Sequence, residues 1–153
     1  MTVEFTLNGR PVSAPVEPNT LLLDLLRDHF RLTGAKRSCD VQVCGSCTVL
    51  VDGAPVSACT YLAFEAAGRE VLTVEGFAEL PEFERFASAF ERHAAVQCGF
   101  CTPGFLLTLK WLRESGELTS EEDIRHGLDG NLCRCTGYRA ILEAARDIGE
   151  VAA

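Results

Sequence analysis

The chain lacks the features that would take it to a membrane or to nucleic acid. No apolar run is longer than the four residues Tyr61 to Phe64, far below the roughly 20 that a bilayer crossing needs. The opening residues also lack the basic-then-apolar order of an export signal. Cationic excess is missing too: 14 Lys and Arg stand against 22 Asp and Glu in 153 residues, a formal charge of −8. An anionic lipid or nucleic-acid surface would be met against that field. These absences predict a soluble, unexported, cytoplasmic chain with neither a membrane nor a nucleic-acid partner. There is also no glycine-rich phosphate loop, no nucleophile elbow and no paired carboxylates beyond helix-surface runs such as Glu121-Glu122-Asp123. No catalytic residue is therefore assigned. Composition is otherwise ordinary, with 47% hydrophobic and 24% charged residues, which excludes disorder.

The first half carries strand and turn signals. Residues 3 to 7 alternate in polarity, Asn8-Gly9 is a hairpin turn, and Pro11 to Val16 can return alongside. Pro18-Asn19-Thr20 opens a helix with Leu22, Leu25, Leu26 and His29 or Phe30 on one face, ending near Thr33-Gly34. Thr48 to Val51 and Ala54 to Ser57 flank the turn Asp52-Gly53, and Glu70 to Val74 adds a last strand. This order predicts a compact domain resembling the β-grasp. The second half reads as helical, with Glu75 to Pro81 as its connection to the first. Phe83, Phe86, Ala87, Phe90 and Ala94 form one stripe, and Phe105, Leu106, Leu109 and Leu112 another, closed by Gly116. Thr119 with Glu122 forms a capping box for a short helix ending at Gly127, and Tyr138, Ile141, Leu142, Ala145 and Ile148 give a fourth helix. The fold class is α+β: a β-grasp domain over residues 1–76, then a four-helix bundle over 77–153. Trp111 and the phenylalanines are expected to fill the cores.

Cysteine is the composition signal. Eight in 153 residues fall below the roughly 8 to 10% of disulfide scaffolds, and without an export signal disulfides are the weaker reading. They form two quartets. In the first, Cys39, Cys44 and Cys47 have the plant-type [2Fe–2S] spacing of four and then two intervening residues. Counting across the Asp52-Gly53 hairpin pairs Val51 with Ala54, Val49 with Val56 and Cys47 with Ala58, so Cys59 returns beside the loop that holds Cys47. A four-cysteine zinc site is the alternative, although zinc sites more often pair two short knuckles. Rieske ligation needs two histidines, and His29, His93 and His126 all lie away from the cysteine pairs.

The second quartet is Cys98, Cys101, Cys133 and Cys135, two short pairs whose spacing alone suits zinc and a cluster equally. Each pair runs into a helix start. Thr102 is placed to cap a helix with Pro103 at its first position, and Thr136 to cap the segment from Gly137. Two helix N-termini facing the site would stabilise an anionic cluster. With both clusters bound, the formal charge moves from −8 to roughly −12, which favours burial against partner proteins.

Three segments together resemble the small iron–sulfur subunit of the xanthine oxidase family of molybdenum hydroxylases. They are Cys39-Asp-Val-Gln-Val-Cys44-Gly45-Ser46-Cys47-Thr48, Gln97-Cys98-Gly99-Phe100-Cys101-Thr102-Pro103-Gly104, and Gly130-Asn131-Leu132-Cys133-Arg134-Cys135-Thr136-Gly137-Tyr138. The likeness spans essentially the whole chain, and relatives include small subunits of carbon monoxide, aldehyde and N-heterocycle dehydrogenases and of hydroxybenzoyl-CoA reductase. It implies a plant-type ferredoxin-like domain followed by a helical [2Fe–2S] domain. It also implies a large partner subunit holding molybdopterin, usually the cytosine dinucleotide, and a medium subunit holding FAD. Electrons would pass from the pterin through both clusters to flavin. Cys98, Cys101, Cys133 and Cys135 would then bind the molybdenum-proximal cluster, and Cys39, Cys44, Cys47 and Cys59 the flavin-proximal one. Gln97 and Cys135 match positions that approach the pterin. A dimer of heterotrimers is one assembly that such relatives adopt. The chain departs from the family at Ser38 and Gln42, where glycine is frequent; if both need positive φ, the first loop is strained there.

Overall fold

The computed structural model describes residues 1–151. Alternation makes Thr2–Leu7 (β1) a strand with Val3, Phe5 and Leu7 buried along one side. Asn8 and Gly9, at φ 51° and 74°, form the tight turn, and β2 (Arg10–Pro15) returns antiparallel. The second hairpin keeps the expected register. β3 (Thr48–Val51) pairs with β4 (Ala54–Ser57), Val51 opposite Ala54 and Val49 opposite Val56, and Ala58 N–H donates to the Cys47 carbonyl at 3.4 Å. β5 (Glu70–Leu72) lies parallel to β1 and antiparallel to β3, giving the mixed order β2-β1-β5-β3-β4 of the expected β-grasp.

The first helix is shorter than its pattern suggested. An α-turn at Leu22–Asp24 widens into a π-turn at Leu25–His29, together α1, with Leu22, Leu23, Leu25 and Leu26 all buried. Arg31 then takes φ 60°, and Leu32 N–H closes back on the Leu26 carbonyl at 2.9 Å. A left-handed residue with a backward hydrogen bond ends a helix, so this one stops before Thr33-Gly34.

The four expected helices of the second half are α3 (Phe83–Arg92), α4 (Thr102–Glu114), α5 (Glu121–Gly127) and α6 (Arg139–Gly149). Part of the expected connection is itself a helix, α2 (Val74–Ala78). Its Phe77 is fully buried and meets Phe83 and Phe86 edge to face, with ring centres 5.2 and 5.0 Å apart, so the segment is core and not linker. Buried Lys110 sits 5.3 Å above the Phe77 ring and pairs with Glu82 and Glu114, which compensates the cost of burying a cation. On α3 the inward alanine is Ala89, while Ala94 lies past the helix end, exposed at φ 50°.

The cap of α5 sits one residue later than the Thr119–Glu122 box. Ser120 is the N-cap and accepts from Asp123 N–H at 3.1 Å, while the Thr119 and Ser120 hydroxyls both donate to the Asp123 carboxylate. Ser120→Ala is expected to lower stability by about 1 kcal/mol. Thermal unfolding would read this as a fall of a few degrees, and an unchanged midpoint would refute the cap.

The sheet is covered on both faces. Val49, Val51 and Val71 join the first core beneath α1, whereas Leu50 of β3, 1% exposed, belongs to the second core with Phe77, Phe105 and Leu109. Strand β3 is therefore buried throughout, as a strand between two layers must be. Aromatic placement departs from expectation at Phe64 and Phe100, which are exposed, while Trp111, like Phe30 and Phe83, is only partly buried against a core. Among the described residues no helix is long and apolar enough to cross a membrane.

Candidate metal centres

The first quartet is built by a loop and a hairpin end. Backbone N–H groups of Val41, Val43 and Cys44 converge on the Cys39 sulfur, the last two at 3.4 Å, and hold its thiol down at about 6. Such convergence requires a tightly curled chain, and Asp40 and Gln42 take φ 55° and 59° to provide it. The departure at Gln42 thus carries the anticipated strain, about 1–2 kcal/mol for a non-glycine residue. Ser38 has no positive φ and carries none. Gln42 Oε1 accepts from the Thr60 hydroxyl at 3.2 Å, tying the loop to the residue after Cys59. Cys47 and Cys59 are buried. Burial, then the neighbouring Cys59 and Cys44 thiols, push the Cys47 thiol up to about 12.

The second quartet joins the start of α4 to the loop before α6. Burial, with Cys133 alongside, raises the Cys101 thiol to about 12. At Cys133 burial acts upward, yet the thiol is lowered overall, because the Thr136 hydroxyl and N–H both donate to its sulfur, at 3.1 and 3.4 Å. Here the capping expectations fail. Thr136 turns its hydroxyl to sulfur, and the N-cap of α6 is Tyr138, at φ 69° with no side-chain cap. The N-cap of α4 is Cys101, with Thr102 already inside the helix. Cys133 N–H donates to the Tyr138 hydroxyl at 3.1 Å. Exposed Cys135 is raised by its hydrogen bond with Cys98.

All eight cysteines are free, and the thiols approach in pairs: Cys39 with Cys44, Cys47 with Cys59, Cys98 with Cys135, Cys101 with Cys133. No three donors close on one point among the described residues. Thiols that meet two by two, with each pair still sensing the other (Cys44 at Cys47, Cys98 at Cys101), suit a two-metal group taking two thiolates on each atom, and a single tetrahedral ion less well. A cavity of about 350 Å³ lies against all four thiols of the second quartet. Thiols that resist ionisation at Cys47 and Cys101 are a donor set that needs a cationic centre to become thiolate. The residues present fit iron–sulfur clusters.

The two quartets meet. Leu132 N–H, one residue before Cys133, donates to the Cys44 carbonyl at 2.9 Å, and buried Asn131 donates its amide to the Gly45 carbonyl at 3.4 Å. The approach requires glycines. A methyl at Gly45 (φ 68°) would lie 2.3 Å from the Gly130 carbonyl oxygen, and one at Gly104 would lie 2.1 Å from the Gly45 carbonyl oxygen. Asn131, Gly104 and Tyr138 escaped the sequence reading as functional residues, because only the cysteines around them carried a recognisable spacing. Gln97 is exposed just before Cys98, whose thiol meets that of exposed Cys135. None of the histidines faces a thiol: His29 packs on Phe30, His93 meets Asp147, and His126 lies near Asp129.

In the metal-free protein, Cys39 is expected to be alkylated first near pH 7, with a half-maximal rate at about pH 6, while Cys47 stays unreacted. The folded Cys39 thiol is depressed below the ordinary value. The stability this contributes is complete above the unfolded thiol's titration, about pH 8.5 to 9, and is lost as pH falls through about 6. Peptide mass spectrometry after brief iodoacetamide treatment checks this, and equal labelling of Cys39 and Cys47 would contradict it.

Residues 5–72 match the family described as the 2Fe-2S iron-sulfur cluster binding domain, and residues 73–146 the family described as the [2Fe-2S] binding domain. The chain is 44% identical to a nicotinate dehydrogenase small FeS subunit of Eubacterium barkeri over 95% of this chain and 93% of that one. It is 45% identical to a xanthine dehydrogenase iron-sulfur-binding subunit of Escherichia coli O157:H7, over 96% and 93%. The crystal structure of quinoline 2-oxidoreductase from Pseudomonas putida 86 superposes with a TM-score of 0.91 at 42% identity, covering 98% of this chain and 94% of that one. With two [2Fe–2S] domains in this order and such relatives along nearly its full length, the chain belongs to the iron–sulfur subunits of the xanthine oxidase family of molybdenum hydroxylases.

Proposed function

We propose that Cys39, Cys44, Cys47 and Cys59 hold one [2Fe–2S] cluster and Cys98, Cys101, Cys133 and Cys135 the other. On this reading the chain joins a large molybdopterin subunit to a medium FAD subunit, in a heterotrimer or a dimer of heterotrimers in the cytoplasm. The domains divide at 1–76 and 77–153, with α2 spanning the division, and the pterin carries the cytosine dinucleotide. The chain is an electron-transfer subunit of a molybdenum-dependent oxidoreductase with its catalytic site on a partner. A bound cluster supplies a site that takes up and releases one electron at a time.

The observation that carries the reading is the hydrogen bond from Leu132 N–H to the Cys44 carbonyl. It joins a residue next to Cys133 to a member of the other quartet, leaving a short bonded route between the two sets of sulfurs. The flanking residues do the rest. Backbone donors at Cys39 and the Thr136 hydroxyl at Cys133 offset negative charge on sulfur. Exposed Val96, Phe100 and Leu132 beside the second quartet, and Val41 and Val43 beside the first, offer apolar borders for two different partner surfaces. Gln97 and Cys135 contact the pterin from the first of these surfaces.

The test is composition and spectrum together. The native protein is expected to co-purify with molybdenum- and flavin-containing chains and to hold about four irons and four sulfides per copy. On reduction it gives two distinguishable paramagnetic signals. Zinc without acid-labile sulfide would overturn the redox reading, and a chain isolated with both clusters but no larger partner would indicate a free carrier.

A further inference from the structure

We propose that the Arg134 guanidinium raises the reduction potential of the site formed by Cys98, Cys101, Cys133 and Cys135, an inference that rests on those cysteines being the ligands. Arg134 lies between two of the thiols in sequence. It is also the one charged residue lining the cavity of about 350 Å³ that all four thiols share; its other walls include Ser46, Phe100, Leu132 and Tyr138.

Most other cations of the chain are already engaged. Arg37, Arg92 and Lys110 are held by carboxylates, and Arg27, Lys36 and Arg113 donate to backbone carbonyls. Arg134 has neither an ion pair nor a side-chain hydrogen bond among the described residues, and no carboxylate lines its cavity. Arg31 is likewise without an ion pair or side-chain hydrogen bond among the described residues, and what sets Arg134 apart is its place at the thiol-lined cavity.

The physical effect has a fixed sign. A [2Fe–2S] core on four thiolates carries about −2 when oxidised and about −3 when reduced, so a fixed positive charge stabilises the reduced state more. One electron is added, one iron passes from ferric to ferrous, no bond forms or breaks, and the guanidinium keeps its protons throughout. The electron comes from the partner's molybdenum site in the working enzyme, and from dithionite in a titration. A partly screened charge of this kind is worth about tenfold in the reduction equilibrium, which corresponds to about 59 mV for one electron.

The experiment is a redox titration of the intact complex followed by electron paramagnetic resonance. In Arg134→Gln one of the two signals is expected to shift its midpoint downward by about 59 mV while the other stays, and Arg134→Lys is expected to recover most of the shift. Arg134→His adds a readout within one variant: its midpoint falls as pH rises through the imidazole's titration, where the wild type's stays flat. If Arg134→Gln fails to load iron, the histidine variant decides. Unchanged midpoints with both signals present, or a histidine variant as flat as wild type, overturn the inference. A wild-type protein lacking one signal would instead overturn the ligand assignment beneath it.

Discussion

Gly104→Ala is expected to strip most of the iron from both sites, although neither glycine nor alanine binds metal. The added methyl would lie 2.1 Å from the Gly45 carbonyl oxygen and 3.1 Å from its carbon, and backbone atoms have no side-chain rotamer through which to yield. Gly45 stands between Cys44 and Cys47, and Gly104 three residues after Cys101, so relief moves ligands of both quartets. Overpacking of this kind costs about 1–3 kcal/mol, and the Leu132–Cys44 and Asn131–Gly45 hydrogen bonds, about 1 kcal/mol each, are lost with it. Iron per chain and the visible absorbance of the purified complex measure the outcome. Gly116→Ala is the control: its φ is 76° but its surroundings are open, so it costs about 1 kcal/mol in strain and leaves iron content unchanged. Full iron in Gly104→Ala would refute the seam.

Cys47→Ser and Cys135→Ser are expected to be complementary. Each removes one paramagnetic signal and leaves the other, and each lowers turnover by more than the roughly 100-fold that loss of an outer-shell partner can cause. The proposed direction of flow distinguishes them. In Cys47→Ser, added substrate still bleaches the surviving site, because electrons arrive and stop there; in Cys135→Ser it leaves the surviving site unbleached. Rapid-scan absorbance after mixing with substrate separates the two, and bleaching of the survivor in Cys135→Ser would reverse the assigned order. Loss of both signals in either variant would mean that the quartets do not form independently.

Turn chemistry made most of the sheet legible in the residues alone. Asp52-Gly53 can adopt the left-handed pair a two-residue hairpin demands, so the register followed by counting and delivered Cys59 to Cys47. The recurring leucine and phenylalanine stripes likewise located the long helices. What failed was short or tertiary. The helix Val74–Ala78 has only five residues, too few for a period to show, and it exists because Phe77 finds Phe83 and Phe86. Thr136 had the residue type of a cap, and only the fold reveals that a sulfur competes for its hydroxyl. The roles of Asn131 and Gly104 depend on a backbone from the other half of the chain, and no local pattern can encode that. Gln42 was the intermediate case: its identity posed the question of positive φ, and its φ of 59° answers it.

Because Leu50 belongs by chain order to the first half and by packing to the second, the boundary in sequence is not a seam in space. A ferredoxin module excised after β5 would present that leucine to water and leave the helical remainder with a hole in its floor. Grafting either cluster domain into another redox chain therefore calls for transplanting the pair as a unit, since recombination at the connecting residues separates what the hydrophobic layers have merged.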